Sequence, residues 1–174
     1  WHSTTISTKY NLLVDTYQSV TQSTLFSIHS FCPLTGKILQ SSEIYDTQLI
    51  DKRVITNPQL FHSLVPPEIH RLSTTTLHGD ALDLYSAVYL PDGLQLSDYL
   101  QPNHSRPSFP TIVAIYGGPH VQRVQNNWLL TADIRTQRFV QQGYVVIKCD
   151  NRGSSRRGKR FEEAVFQCMG EREI

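Results

Sequence analysis

Two short apolar runs stand out in the pattern of hydrophobic and polar positions, and each ends in a cluster of turn residues. Thr111–Ile115 (TIVAI) leads into YGGP at 116–119, and Tyr144–Cys149 (YVVIKC) leads into DNRG at 150–153. Apolar, β-branched runs of this kind are typical of strands buried on both faces. The segment Asn127–Gln142 between them has apolar positions at helical spacing. The order strand, helix, strand predicts a parallel βαβ unit.

Two helices are predicted around the second run. The first covers Asn127–Gln142, with Asp133 and Gln137 facing outward and Gly143 ending it. The second covers Lys159–Met169, with an apolar side made of Phe161, Ala164, Val165, Phe166 and Met169.

The first 64 residues favour an all-β structure. Strands are predicted at Asn11–Tyr17 and Thr24–Phe31, followed by Lys37–Gln40 and a further strand at Ser42–Tyr45. So few short strands cannot close their own edges, so we expect them to belong to a larger sandwich or to one blade of a propeller.

The prolines of VPPE at 65–68 mark the predicted boundary between two domains, at 1–64 and 65–174. After them, Ile69–Thr75 and Asp83–Tyr89 predict a hairpin that turns at LHGD, residues 77–80. The polar, proline-containing stretch Leu94–Phe109 predicts a surface loop.

Composition limits the classes of protein without choosing among them. The chain has 174 residues and a formal net charge of +1, so its overall charge favours neither nucleic acid nor an anionic membrane. No apolar run approaches the ~20 residues of a membrane span. Because the chain begins at Trp1 rather than Met, we interpret it as a fragment. Whether a targeting or anchoring segment precedes it in the full-length protein is left open. The three cysteines lack metal spacing, which favours free thiols and a cytoplasmic location, with secretion or anchoring left open.

Tyr116, Gly117 and Gly118 are the first candidates for chemistry. A phenol at the carboxyl end of a buried strand points to the sheet edge where α/β proteins place their sites. Its hydroxyl could donate a hydrogen bond to a developing oxyanion, and the glycines would let the backbone approach closely. The alternatives are a core aromatic residue with a hydrated hydroxyl, and an ordinary turn between strand and helix.

Asp150 and Arg152 follow the second strand at the same edge. Asp150 could act as a base or a metal ligand, although an Asp at this position more often caps a loop and pairs with an arginine. Arg152 is expected to support the structure through an ion pair or loop hydrogen bonds.

Five basic residues between Arg152 and Arg160 raise the possibility of nucleic-acid binding. No aromatic residues are interleaved with them, however, and acidic residues follow closely, so pairs such as Lys159 with Glu163 are expected instead. The sequence has no phosphate-binding glycine motif, no zinc-ligand spacing and no G-x-S-x-G nucleophile motif. We therefore expect no metal, no cofactor and no nucleic-acid partner.

A resemblance to a known family adds what the pattern does not give. The chain from Pro66 onward resembles the start of the catalytic domain of the prolyl oligopeptidase family of serine peptidases, in its dipeptidyl peptidase branch, the type of dipeptidyl peptidases 8 and 9. The matching stretches occur in order: PPE at 66–68, LYSAVYLPD at 84–92, IYGGPHVQ at 115–122, GYVV at 143–146, DNRGS at 150–154 and RFE at 160–162. The likeness is fainter over residues 1–64.

The resemblance implies the N-terminal part of an α/β-hydrolase domain, about four strands, preceded by the last strands of a β-propeller. It implies a Ser-Asp-His triad that would lie entirely beyond Ile174, with Tyr116 as one oxyanion-hole donor. The implied reaction releases N-terminal dipeptides after Pro or Ala. Peptides are then the expected partners, and a homodimer of the full-length protein is left open.

Three hypotheses follow. The leading one is a fragment of a serine-type dipeptidyl peptidase, inactive by itself because its nucleophile, Asp and His are missing. The second is a catalytically inactive interaction protein on the same fold, and the third is a basic nucleic-acid-binding module that uses Arg152 to Arg160.

Overall fold

A computed structural model describes residues 1–46, 63–76, 79–91, 94–97 and 108–173. These residues form two compact units, one made of Trp1–Pro66 with Asn126–Ala132 and the other of Pro67–Gln125 with Asp133–Ile174. Most of the predicted surface loop and the first half of the predicted hairpin turn, residues 98–107 and 77–78, lie outside the described residues. The structure is mostly sheet with short helices, which agrees with the predicted α/β class at that coarse level.

The first unit contains a four-stranded antiparallel sheet in the order β1-β2-β3-β4. Its strands are β1 His2–Ser7, β2 Leu12–Tyr17, β3 Leu25–Phe31 and β4 Ile38–Asp46. The two main predicted strands are confirmed as β2 and β3, whereas the two later pieces form one strand, β4. Strand β1 was not predicted, because its sequence HSTTIS holds only one large apolar side chain.

A short helix from later in the chain belongs to this unit. Helix α1, Trp128–Thr131, lies against the turn between β2 and β3. The Thr131 hydroxyl donates to the Val20 carbonyl at 2.5 Å, and the Val20 N–H donates to the Asn126 side chain at 3.0 Å. These contacts over more than a hundred residues of sequence decide where the helix forms.

The second unit contains a mixed sheet in the order β5-β6-β8-β7. Its strands are β5 Glu68–Thr75, β6 Ala81–Tyr89, β7 Thr111–Ile115 and β8 Val145–Cys149. Strand β6 pairs antiparallel with both β5 and β8, while β7 and β8 are parallel. The predicted hairpin and the predicted parallel pairing are both confirmed. The predicted burial of β7 on both faces is wrong, because β7 is an edge strand and Val113 and Ile115 are exposed.

The single helix predicted over Asn127–Gln142 is wrong. Helix α1 ends at Thr131, and a separate helix α2 covers Ile134–Gln141. The interruption lies at Asp133, which is extended and whose carboxylate accepts the N–H groups of Arg135 and Thr136 as the N-cap of α2. Gln137, predicted to face outward, is only 3% exposed. Gly143 follows α2 with a positive φ of 84°, as predicted for a residue that ends a helix.

Asp133 was also predicted to face outward, and it instead binds the one lysine of β8. The Lys148 ammonium lies 2.7 Å from the Asp133 carboxylate and 3.2 Å from the Tyr89 hydroxyl, deep under α2. Burial acts to raise the pKa of Asp133, but hydrogen bonds from Lys148 and Thr136 outweigh it and hold the pKa below its usual range. Burial also raises the pKa of Tyr89.

The second predicted helix is shorter than expected. Helix α3 covers Lys159–Glu162 and passes into a single 3₁₀ turn at Glu163–Val165. Phe166 is extended, which ends the helix before the predicted apolar side is complete, and Met169 is 63% exposed. Val165 is the buried member, and it packs against Gly153 so closely that a Cβ there would lie 2.7 Å from the valine.

Candidate functional site

The parallel pairing of β7 and β8 brings two loops to one edge of the sheet. Ile115 and Cys149 are register partners at the ends of these strands, so Tyr116 and Asp150 begin the two loops side by side. Tyr116 is 52% exposed, and its hydroxyl makes no hydrogen bond to any described residue. A half-exposed phenol at a carboxyl edge, with its donor unused within the described chain, is available to a ligand.

The two glycines after Tyr116 serve different purposes. Gly117 has a positive φ of 79°, a conformation that favours glycine. Gly118 is covered by the tyrosine ring, and a Cβ at that position would lie 2.6 Å from Cε1 and 3.2 Å from Cζ. Tyr116 therefore folds back over its own turn, and a side chain at position 118 would require the ring to shift from this position.

Asn151 connects the second loop to the first. Its Oδ1 accepts the Gly117 N–H at 3.1 Å, and its Nδ2 lies 3.5 Å from the Gly118 carbonyl and 2.5 Å from the Arg152 carbonyl. The residue is only 6% exposed. Sequence reasoning missed Asn151, because its contact with Gly117 joins residues 34 positions apart and the local pattern does not show what faces the amide.

Asp150 anchors the far end of the loop that follows β7. Its Oδ1 accepts the N–H groups of Arg123 and Val124, at 2.6 and 3.1 Å, and its Oδ2 lies 3.3 Å from the Arg157 guanidinium. The side chain is fully buried. With both oxygens engaged by protein donors, this carboxylate holds the loop.

Arg157 both stacks on an aromatic ring and pairs with the Asp150 carboxylate. Its guanidinium carbon lies 3.7 Å from the centre of the Tyr85 ring, a cation–π distance, while its Nη2 binds Asp150. This arginine therefore fixes the loop after β8 against strand β6.

Arg152 lies beside this group in a cavity of about 600 Å³, which it lines together with Arg157, Arg160 and Arg172. It is half-buried, and its guanidinium makes no hydrogen bond or ion pair with any residue in the described part of the chain. Of the other predicted pairs in the basic run, Lys159 with Glu163 is present at 3.4 Å.

Metal ligands are not grouped in this region. Within the described ranges, no three His, Cys, Asp or Glu side chains are placed to hold an ion.

No described helix combines the length and apolar character needed to cross a bilayer.

Comparisons with known proteins agree on one family. Residues 131–174 match the family model described as the prolyl oligopeptidase family. The chain is 38% identical over 109 residues to dipeptidyl peptidase 8 of Mus musculus and of Homo sapiens, a region that covers 63% of this chain and 11% of each relative. The chain thus spans about a ninth of the length of these relatives.

A solved structure of a dipeptidyl peptidase is similar to this chain in fold. The crystal structure of Porphyromonas gingivalis dipeptidyl peptidase 4 matches with a TM-score of 0.66 and 20% identity, over 95% of this chain and 20% of that chain. The family model and the curated relatives confirm the resemblance to the prolyl oligopeptidase family that the motifs indicated.

Proposed function

From the relationship of this chain to the prolyl oligopeptidase family of serine peptidases, we propose that it is a segment of a serine-type dipeptidyl peptidase. In this proposal the Tyr116 hydroxyl donates to the oxyanion of the tetrahedral intermediate. The observation that carries it is the position of Tyr116, half-exposed at the carboxyl edge of parallel strands, with a hydroxyl that makes no hydrogen bond to a described residue. The family relationship supplies the reaction class.

The chemistry needs groups beyond those in the chain. A serine nucleophile would attack the scissile carbonyl, and its backbone neighbour would give the second oxyanion donor. In this proposal that serine, with its Asp and His, lies after Ile174. What this segment contributes is one preorganised donor, the turn that carries it, and the loop that Asp150 and Asn151 hold.

The two units fit two domains of such an enzyme. The four-stranded antiparallel sheet of the first unit has the size of a propeller blade, which supports assigning residues 1–64 to the end of a β-propeller. The second unit pairs parallel β7 and β8 next to an antiparallel hairpin. This supports assigning residues 65–174 to the N-terminal part of an α/β-hydrolase domain, apart from the α1 segment Asn126–Ala132, which belongs to the first unit.

Tyr116→Phe in the full-length protein tests the proposed role. Removing one oxyanion donor is expected to lower kcat by about 10²–10³-fold with little change in KM, because the hydrogen bond strengthens as charge develops. Steady-state kinetics with an X-Pro chromogenic dipeptide substrate measure it. An unchanged kcat rules out the role of Tyr116, and the 174-residue chain itself should give no turnover in the same assay.

A further inference from the structure

We propose that Asn151 is a positioning residue for Tyr116: its side-chain amide fixes the Gly117-Gly118 turn and thereby the direction of the tyrosine hydroxyl. The inference rests on the function proposed for Tyr116 and adds to it the group that sets the geometry.

Asn151 contacts the turn at two points with opposite hydrogen-bonding groups. The acceptor Oδ1 meets the Gly117 N–H at 3.1 Å, and the donor Nδ2 faces the Gly118 carbonyl at 3.5 Å. The first contact orients the peptide plane between Tyr116 and Gly117, and the second, at the limit of hydrogen-bond distance, is the weaker one and faces the plane that follows Gly118. Only a side chain with both a donor and an acceptor at this spacing makes both contacts.

Among the described residues, Asn151 is the side chain that binds the backbone of this turn. Two successive glycines have more backbone freedom than any other pair, and the Tyr116 ring is half-exposed, so packing restrains it on one side only. The other ties to this loop lie further along the chain. Among the described residues they are the His120 N–H to the Gly153 carbonyl, at 2.9 Å, the His120 side chain to the Glu162 carboxylate, at 2.7 Å, and the bonds from Arg123 and Val124 to Asp150.

Asn151 is itself held rigidly. Its carbonyl accepts hydrogen bonds from the Ser154 hydroxyl at 2.7 Å and from the Ser154 N–H at 3.2 Å, and Ser154 is fully buried. Its Nδ2 also donates to the Arg152 carbonyl at 2.5 Å. A group locked by its own neighbours transmits its position to the turn, as positioning of a reactive donor requires.

A double-mutant cycle on the full-length protein tests this mechanism. Asn151→Ala is expected to lower kcat about 10- to 100-fold, with KM changed less than about twofold, because a misplaced donor loses most of its effect in the transition state. In the Tyr116→Phe background the same change should cost less than about threefold, since no hydroxyl remains to be positioned. Equal losses in both backgrounds, or no loss in either, overturn the proposal.

Asn126→Ala is the matched control. Asn126 also accepts a backbone N–H through Oδ1, from Val20 at 3.0 Å, but it does not touch the turn. It should lower the Tm and leave kcat unchanged. If Asn151→Ala does not fold, the cycle is run with Asn151→Asp, which keeps the acceptor and loses the donor.

The outcomes separate the two proposals. If Tyr116→Phe keeps full activity, the proposed function of Tyr116 fails. If Tyr116→Phe is impaired while Asn151→Ala and Asn151→Asp are as active as the parent, only the positioning role of Asn151 fails.

Discussion

The orientation of the Tyr116 ring depends on the absence of a side chain at position 118. Because a Cβ there would lie 2.6 Å from the ring, Gly118→Ala should displace the ring. Gly118 has no positive φ, so alanine introduces steric conflict without backbone strain. We expect kcat to fall about 10- to 100-fold and KM to stay nearly constant in the full-length protein. Kinetics and a Tm measurement on the same preparation check this, and a parental kcat would contradict the ring placement.

Residues of the site differ in how far the sequence reveals them. The place of Tyr116 and its glycines at the end of β7 could be predicted, because a strand that ends in an aromatic residue and two glycines is a local signal. Asn151 could not, since its contact with Gly117 joins residues 34 positions apart. The role of an amide is set by what faces it, and hydrophobic periodicity carries no information about that.

The ion pair between helix α2 and strand β8 sets the stability of the second unit in a pH-dependent way. Asp133→Ala leaves the buried Lys148 ammonium without its carboxylate and should cost about 3 kcal/mol of unfolding free energy at neutral pH. The pKa of Asp133 is lowered in the folded state. Its contribution is therefore complete above the ordinary carboxyl pKa of about 3.9 and is lost as the pH falls through the lower folded value.

Denaturant titrations of parent and variant between neutral and acidic pH measure this difference. The gap in unfolding free energy should narrow as the pH falls, and Lys148→Met combined with Asp133→Ala should recover much of the loss, because no buried charge is then left unpaired. A gap that stays constant with pH would show that the contribution of Asp133 to stability does not depend on its ionised carboxylate.

The predicted strands and helices are present where the local sequence pattern and the tertiary contacts favour the same structure. The strands of the second unit were predicted from apolar runs and turns, and the parallel pair is present. The helix between them was predicted as one element and forms two, because α1 binds the turn at Val20 and Asp133 starts a new helix. Contacts from over a hundred residues away override helical spacing there.

At the scale of the whole molecule, strand β7 is the exposed end of the second sheet. It is the last strand in the order β5-β6-β8-β7, so no described strand pairs with its outer edge, and Val113 and Ile115 are 58% and 54% exposed. An apolar edge strand is a template for pairing with another chain. We expect the purified 174-residue chain to self-associate with increasing concentration, as measured by size-exclusion chromatography with light scattering.

A charge on β7 should oppose that association. Val113→Lys places an ammonium on the edge strand and should lower the apparent mass at a given concentration, since edge lysines disfavour strand addition. Leu34→Lys is the matched control, because Leu34 is 93% exposed in a turn of the first unit and its replacement adds the same charge. Equal effects of the two substitutions would attribute the association to net charge, and a parent chain that stays monomeric would show that the β7 edge does not recruit a partner.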